Sequence, residues 1–338
     1  MVITDTTIPG HLMAREAAEA PSVFAHAATQ PIDLRADQPA FKAIYTIARG
    51  SSDAAATILA YEFMEHLRVP MTSLPPSIFS LGTGVDLTGY MALVVSQSGA
   101  SDDLVKSAQG AQASGAQVFA ITNAPASPVE KYADAIARIN AGPELAVPAT
   151  KSVIGSVGAG MAILAALDPR YRTVCDRSAE QFLTVARFGE HPQLAQISAA
   201  LLRAQHVYII GRGAGFGAAQ EVALKFKETC VLHAEAYSAS EVLHGPLQLV
   251  TNPLLVLIMD TCEPKTQESI DIAEARFRNA GSTVYRLRIH DMGCDDMAPA
   301  AAAAALLHAM YPVILATALS LGFNPDAPAN LAKVTRTN

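Results

Sequence analysis

The sequence predicts an α/β protein built from two parallel sheets wound with helices, and three observations carry that prediction. Short apolar runs rich in β-branched residues recur between longer helical stretches. They are apolar throughout, without alternation, which suits strands buried on both faces, as in parallel sheets. The chain also repeats itself. At an offset of 163 residues Tyr45 falls on Tyr208, Arg49 on Arg212, Gly50 on Gly213, Phe63 on Phe226 and Glu65 on Glu228, with nine identities in the 21 ungapped positions from 45 to 65. A match running through strand, turn and helix together points to duplication of one α/β unit.

Taken in order, residues 1–30 read as an N-terminal helical arm, with no apolar stretch between Met1 and Ala20 long enough for the core of a signal peptide. A first domain, 31–167, carries strand-like runs at Ala43–Ala48, Ala92–Val95 and Val118–Thr122. The polar segment 168–196, with Pro169, Arg170, Arg172 and Pro192, reads as a connector. A second domain, 197–323, carries runs at Val207–Ile210, Leu254–Met259 and Thr283–Leu287. Its last stretch, Ala298–Phe323, has no charged residue and the length of a membrane span of about 20 residues. It holds Pro299, His308 and Pro312 and lacks a Lys/Arg or aromatic belt, so a buried helix, or two broken near Pro312, is expected. A tail, 324–338, closes the chain.

Composition narrows the function. In 338 residues, 51% are hydrophobic and 16% charged, enough for two compact cores and too apolar for disorder. The balance of 24 Lys+Arg against 31 Asp+Glu, with no basic cluster, argues against nucleic acid or an anionic membrane as partner. Cys175, Cys230, Cys262 and Cys294 are too scattered for a disulfide framework or zinc site, so reduced thiols and a cytoplasmic location are expected.

Two turns carry the binding signal. Arg49-Gly50-Ser51-Ser52 follows the first strand, and Ser96-Gln97-Ser98-Gly99-Ala100-Ser101 follows the second. Hydroxyls, backbone N–H groups and helix N-termini at the carboxyl ends of neighbouring strands converge on one anion, which suggests a phosphate cradle. Ser at such places also serves simply to cap helices. In the second half, Gly213-Ala214-Gly215-Phe216-Gly217-Ala218 formally fits a dinucleotide fingerprint with Glu235 downstream, but His233-Ala234-Glu235-Ala236-Tyr237 does not read as the end of a second parallel strand. The densest ionisable cluster runs from Glu221 to His244. On a helix beginning near Gly217, Glu221, Lys225 and Glu228 share a face, and His244 sits in the turn Glu241–Pro246. A carboxylate, an ammonium and an imidazole suit proton transfer beside a carbonyl.

These motifs, with Ile121-Thr122-Asn123-Ala124-Pro125, His244-Gly245-Pro246-Leu247 and the tail Asn330-Leu331-Ala332-Lys333, resemble the tandem sugar isomerase (SIS) domain family, which includes the isomerase half of glucosamine-6-phosphate synthase and stand-alone deaminases. The resemblance runs from about Met13 to the C-terminus. It implies two flavodoxin-like domains acting on an amino-sugar or keto-sugar 6-phosphate without metal or other cofactor. By motif match, Ser52, Ser96, Gln97, Ser98 and Ser101 would hold the phosphate. Glu228 would shuttle a proton between carbons 1 and 2, and Lys225 would assist at the carbon-1 oxygen. His244 would open the sugar ring from the neighbouring subunit of a homodimer, and Lys333 would form a Schiff base with the open keto sugar. Glu235 and Glu241 match supporting positions.

Departures from the family pattern are Arg49 in place of a cysteine, Ala100 in place of a glutamate, and Pro143 and Pro148 in the stretch ending at Lys151. About 40 residues precede the first strand, with no cysteine before Cys175, so the synthase's glutaminase is not expected and ammonia release is the expected sense. The alternatives are an aldose–ketose isomerase or a fructosamine-phosphate deglycase and, further off, a non-catalytic sugar-phosphate sensor.

Overall fold

The computed structural model describes residues 8–34, 40–184 and 192–333. Two wholly parallel sheets form the core. The first has the order β2-β1-β3-β4-β5, from β1 (Ile44–Ile47), β2 (Met71–Ser73), β3 (Met91–Ser96), β4 (Gln117–Thr122) and β5 (Ala135–Arg138). The second has the order β7-β6-β8-β9, from β6 (Val207–Gly211), β7 (Ala234–Ser238), β8 (Leu255–Asp260) and β9 (Thr283–Arg288). All six apolar runs are strands. The three strands without an apolar run, β2, β5 and β7, are sheet edges. An edge strand is short and covered by one neighbour only, so Met-Thr-Ser or Ala-Glu-Ala-Tyr-Ser suffices there. His233–Tyr237 therefore does belong to a parallel strand region, contrary to the sequence expectation.

Helices cover both sheets. α1 (His11–Thr29) lies along α5 (Lys151–Leu167) and against α6 (Arg172–Thr184), where the Phe24 and Phe182 rings stack at 4.2 Å. Part of the expected connector is thus a packed helix, with Cys175, Ala179 and Phe182 buried; residues 185–191 lie outside the described residues, and α7 (Pro192–Leu201) leads into β6. The apolar C-terminal stretch is one helix, α10 (Pro299–Ser320), continuous through Pro312. It is long and apolar enough to cross a membrane, yet 72% of its most apolar window is buried within the fold.

The contact that positions the site joins the two repeats. α2 (Ser51–Leu67), which follows β1, packs against α8 (Ala214–Cys230), which follows β6. At Gly217 a Cβ would stand 2.6 Å from the backbone nitrogen of Ile58 and 2.9 Å from the carbonyl of Ala54, so only glycine permits this approach. The short α3 (Ser77–Ser80) follows β2, and α4 (Asp102–Ala113) and α9 (Pro264–Asn279) flank the sheets from the other strand-to-helix turns.

Candidate active site

Ser51 and Ser52 open α2 directly after Gly50, both half-buried at the carboxyl end of β1. The neighbouring turn between β3 and α4 is held by its own serines. Ser96 Oγ accepts from the N–H of Gly99 at 3.1 Å, and Ser98 Oγ accepts from the N–H of Ala100 at 3.3 Å. Gln97 accepts at its carbonyl from the N–H of Asn123 at 3.1 Å. Ser101 occupies the N-cap position of α4 without making a side-chain cap bond. Helix capping does not account for these hydroxyls: they shape a turn or stand free of the cap, beside two helix N-termini.

Three ionisable side chains of α8, Glu221, Lys225 and Glu228, lie beside these serines across the α2–α8 contact. Lys225 Nζ donates to Ser51 Oγ at 3.0 Å and to Glu228 Oε2 at 2.5 Å, and lies 3.3 Å from Glu221 Oε1. Lys225 is buried; burial pulls its pKa down, but Glu221 and Glu228 more than offset this and raise it, so the ammonium stays charged. Glu221 is wholly buried, and neither carboxyl oxygen has a partner in hydrogen-bonding geometry. Burial pushes its pKa up to about 7 against the pull of Lys225, with the Glu228 charge adding to the rise. Glu228 is the exposed member, with a quarter of its side chain accessible. It opens into a cleft of about 660 Å³ whose walls include Thr229, Val231, Phe323, Asn330 and Leu331.

α8 begins at Ala214 rather than near Gly217, and of the face that Glu221, Lys225 and Glu228 share, Glu221 and Lys225 are buried. Ser51, Lys225 and Glu228 come together. His244 and Lys333 do not join them within the chain. His244 is exposed in the turn between β7 and β8, outside the Glu228 cleft. Lys333 donates to the carbonyl of Ala146 at 2.7 Å and to Glu144 Oε2 at 3.3 Å. Glu144 is buried and also accepts from the N–H groups of Thr150 and Ser152. Lys333 is thereby tethered to the segment before α5, two residues past the tail that walls the cleft.

Tyr311 is the group that sequence reasoning missed. It is buried on α10, donates to the carbonyl of Thr150 at 3.4 Å, and has its phenol pKa held well above the ordinary value by burial and by Glu221, Glu144 and Glu228. A tyrosine inside an alanine-rich helix was its one sequence signal. The glycine-rich turn of the second half is not open like the first. Glu235 is the second residue of β7, level with Tyr208, and bonds Tyr237 Oη at 2.9 Å; it lies at the wrong end of its strand to reach a ligand at Gly213.

The SIS domain family profile matches residues 41–166 and 200–318, one stretch per sheet. The glutamine–fructose-6-phosphate aminotransferase (isomerizing) of Brucella abortus biovar 1 is 30% identical over 355 aligned positions, covering 96% of this chain and 58% of the relative. The chain thus spans less than two thirds of the curated relatives it matches. A solved protein from Silicibacter pomeroyi DSS-3, named provisionally a phosphosugar isomerase, is 32% identical with a TM-score of 0.79, covering 94% of this chain and all of the other. Glucosamine-6-phosphate deaminase from Thermotoga maritima shares the fold, with a TM-score of 0.72 at 20% identity, over 96% of this chain and all of its own. With both sheets matched, and with the serine turns and the Lys225–Glu228 helix in place, the chain belongs to the SIS domain family.

Proposed function

We propose that the chain is a phosphosugar isomerase that deaminates an amino-sugar 6-phosphate, converting glucosamine 6-phosphate and water to fructose 6-phosphate and ammonia. One observation carries the reading: Lys225 bonds both Ser51 of the cradle and Glu228, so the anion grip and the acid–base group serve one small molecule. The names of the relatives and of the fold neighbours, an isomerizing fructose-6-phosphate aminotransferase and a glucosamine-6-phosphate deaminase, support the same class. Bound by its phosphate at Ser51, Ser52, Ser96, Gln97, Ser98 and Ser101, the open-chain aldehyde extends toward α8. Glu228 takes the carbon-2 proton and returns it to carbon 1, giving a ketose imine that water hydrolyses. Lys225, kept cationic, stabilises the oxyanion that develops at carbon 1. His244, exposed and apart from Glu228, is supplied by the second subunit of a homodimer.

Incubation with glucosamine 6-phosphate should release ammonia and fructose 6-phosphate in equal amounts. Ketose formation without ammonia from a panel of sugar 6-phosphates would favour a plain aldose–ketose isomerase, and no conversion of any of them would sink the proposal. Mixing inactive H244A with inactive E228Q should restore part of the activity through hybrid dimers; mixtures as inactive as their components would place His244 outside a shared site.

A further inference from the structure

Behind the second serine turn lies a buried polar cluster that touches no part of the cleft. Glu130, in the helical turn after β4, has 7% of its side chain exposed. Its Oε1 accepts from Thr122 Oγ1 at 2.7 Å and from Ser127 Oγ at 3.0 Å, and its Oε2 accepts from Arg138 Nη2 at 2.8 Å. Arg138 Nη1 also donates to Glu130 Oε1, making the pair bidentate, and reaches the carbonyl of Ala124 at 3.3 Å. Such a forked pair fixes both partners in one geometry.

The cluster presses on the phosphate turn at Gly99. A Cβ on Gly99 would fall 2.2 Å from Ser127 Oγ and 3.4 Å from Thr122 Cγ2, and its φ of +58° suits glycine. The N–H of Val129, next to Glu130, donates to the carbonyl of Gly99 at 3.0 Å. Two of the residues that Glu130 binds therefore form the surface on which the turn rests. Burial raises the Glu130 pKa, but the bonds from Arg138, Thr122 and Ser127 more than offset this and hold it below the ordinary value, so the carboxylate remains an acceptor for all three.

Resting on the reading of the serine turn as the phosphate grip, we propose that Glu130, locked by Arg138, is the positioning residue of that grip. It fixes Ser127 and Thr122 beneath Gly99, so that the N–H groups and hydroxyls of residues 96–101 are set for phosphate before it arrives. It acts through the turn and touches no substrate atom.

The test is inorganic phosphate binding by titration calorimetry alongside steady-state kinetics, with circular dichroism to establish folding. E130Q should bind phosphate about tenfold more weakly and raise KM by a similar factor, with kcat within about twofold. R138K, which keeps the charge but loses the fork, should fall between wild type and E130Q. Equal phosphate affinity in folded E130Q and wild type overturns the inference, as does a loss in kcat with KM unchanged. Should E130Q not fold, S127A decides, since it leaves the Glu130–Arg138 pair intact: about threefold weaker phosphate binding is expected, and unchanged binding overturns the inference. A wild type that binds no phosphate overturns the reading of the turn itself, a result distinct from wild type and variant binding alike.

Discussion

The two halves share a backbone and differ in where they place polar side chains. Gly50 and Gly213 have almost the same unusual torsions, φ 55° and ψ −129° against φ 58° and ψ −135°. The helices that follow both end in a left-handed residue, Arg68 and Val231, at the repeat offset. The side chains differ. Where the first half has Ser51 and Ser52, the second has Ala214 and Gly215; where residues 97–101 join β3 to α4, only 261–263 join β8 to α9. The second turn is also filled from within: Glu263 Oε2 lies 2.9 Å from where a Cβ of Gly213 would be, while Gly50 has only Leu224 at 3.9 Å. The helices invert this contrast. Glu221, Lys225 and Glu228 of α8 correspond to Ile58, Glu62 and Glu65 of α2. Glu62 is buried against Tyr171 Oη at 2.5 Å, and Glu65 pairs with Lys265. In the proposed function one copy supplies the anion grip and the other the acid–base group, and the α2–α8 contact joins them through the Lys225–Ser51 bond.

The largest difference is expected between the two glutamates at the repeat offset, Glu228 and Glu65. E228Q should lower turnover by about 10²–10⁴-fold, the usual contribution of a placed base, while phosphate binding persists. E65Q should leave turnover within about twofold, because its partner is a lysine on the surface. Comparable losses of ammonia release in the two variants would show that the halves are not specialised as described.

Next come Gly99 and Cys262, which take nearly the same positive φ in the β3–α4 and β8–α9 turns. Gly99 to Ala meets both the left-handed torsion and Ser127, so a loss of about 2–3 kcal/mol in urea unfolding is expected. Cys262, at φ 59°, already bears that strain in the shortened turn, and C262G should change stability by less than about 1 kcal/mol. A neutral G99A would mean that the turn is not held by Ser127.

How much of this was legible in the sequence follows from where the signals lie. Interior strands such as Leu255–Asp260 must be apolar on both faces, so they announce themselves, and so do turns whose serines stand beside one another in the chain. Lys225 and Glu228 show as helical spacing. The edge strands β2, β5 and β7 do not, because one neighbour and some solvent satisfy a polar sequence. Contacts between distant segments leave no local pattern either. Nothing near Ser51 announces Lys225, 174 residues away, and nothing near Glu144 announces Lys333. The segment His233–Tyr237 did not read as a parallel strand because β7 lies at a sheet edge, where an apolar run is not required.

A milder perturbation separates the grips. S98A removes a hydroxyl that shapes the turn, accepting from Ala100, and should raise KM about tenfold with little change in kcat. T261A removes the buried Thr261 hydroxyl, which has no hydrogen-bond partner, from the self-filled turn, and should leave KM within about twofold. An S98A effect confined to kcat would move Ser98 from the grip to the chemistry.

The smallest expected effect tests the position where the repeats differ most in polarity. Glu221 stands where α2 has Ile58, both wholly buried, so α8 buries a carboxyl where its counterpart buries a hydrocarbon. Burial raises its pKa from the ordinary 4.5 to about 7. The folded state then holds the proton more tightly than the unfolded one, and the stability this provides is complete below about pH 4.5. It drains away as pH rises through the window to about 7 and is constant above it. Urea unfolding should therefore show wild type losing on the order of 1 kcal/mol more than E221Q between pH 5 and pH 7. Working on the difference between the two proteins removes the contributions of other buried acids such as Glu62 and Glu16. Parallel curves would mean that Lys225 keeps Glu221 ionised throughout, making the buried pair a fixed ion pair instead of a group that titrates near neutrality beside the reacting sugar.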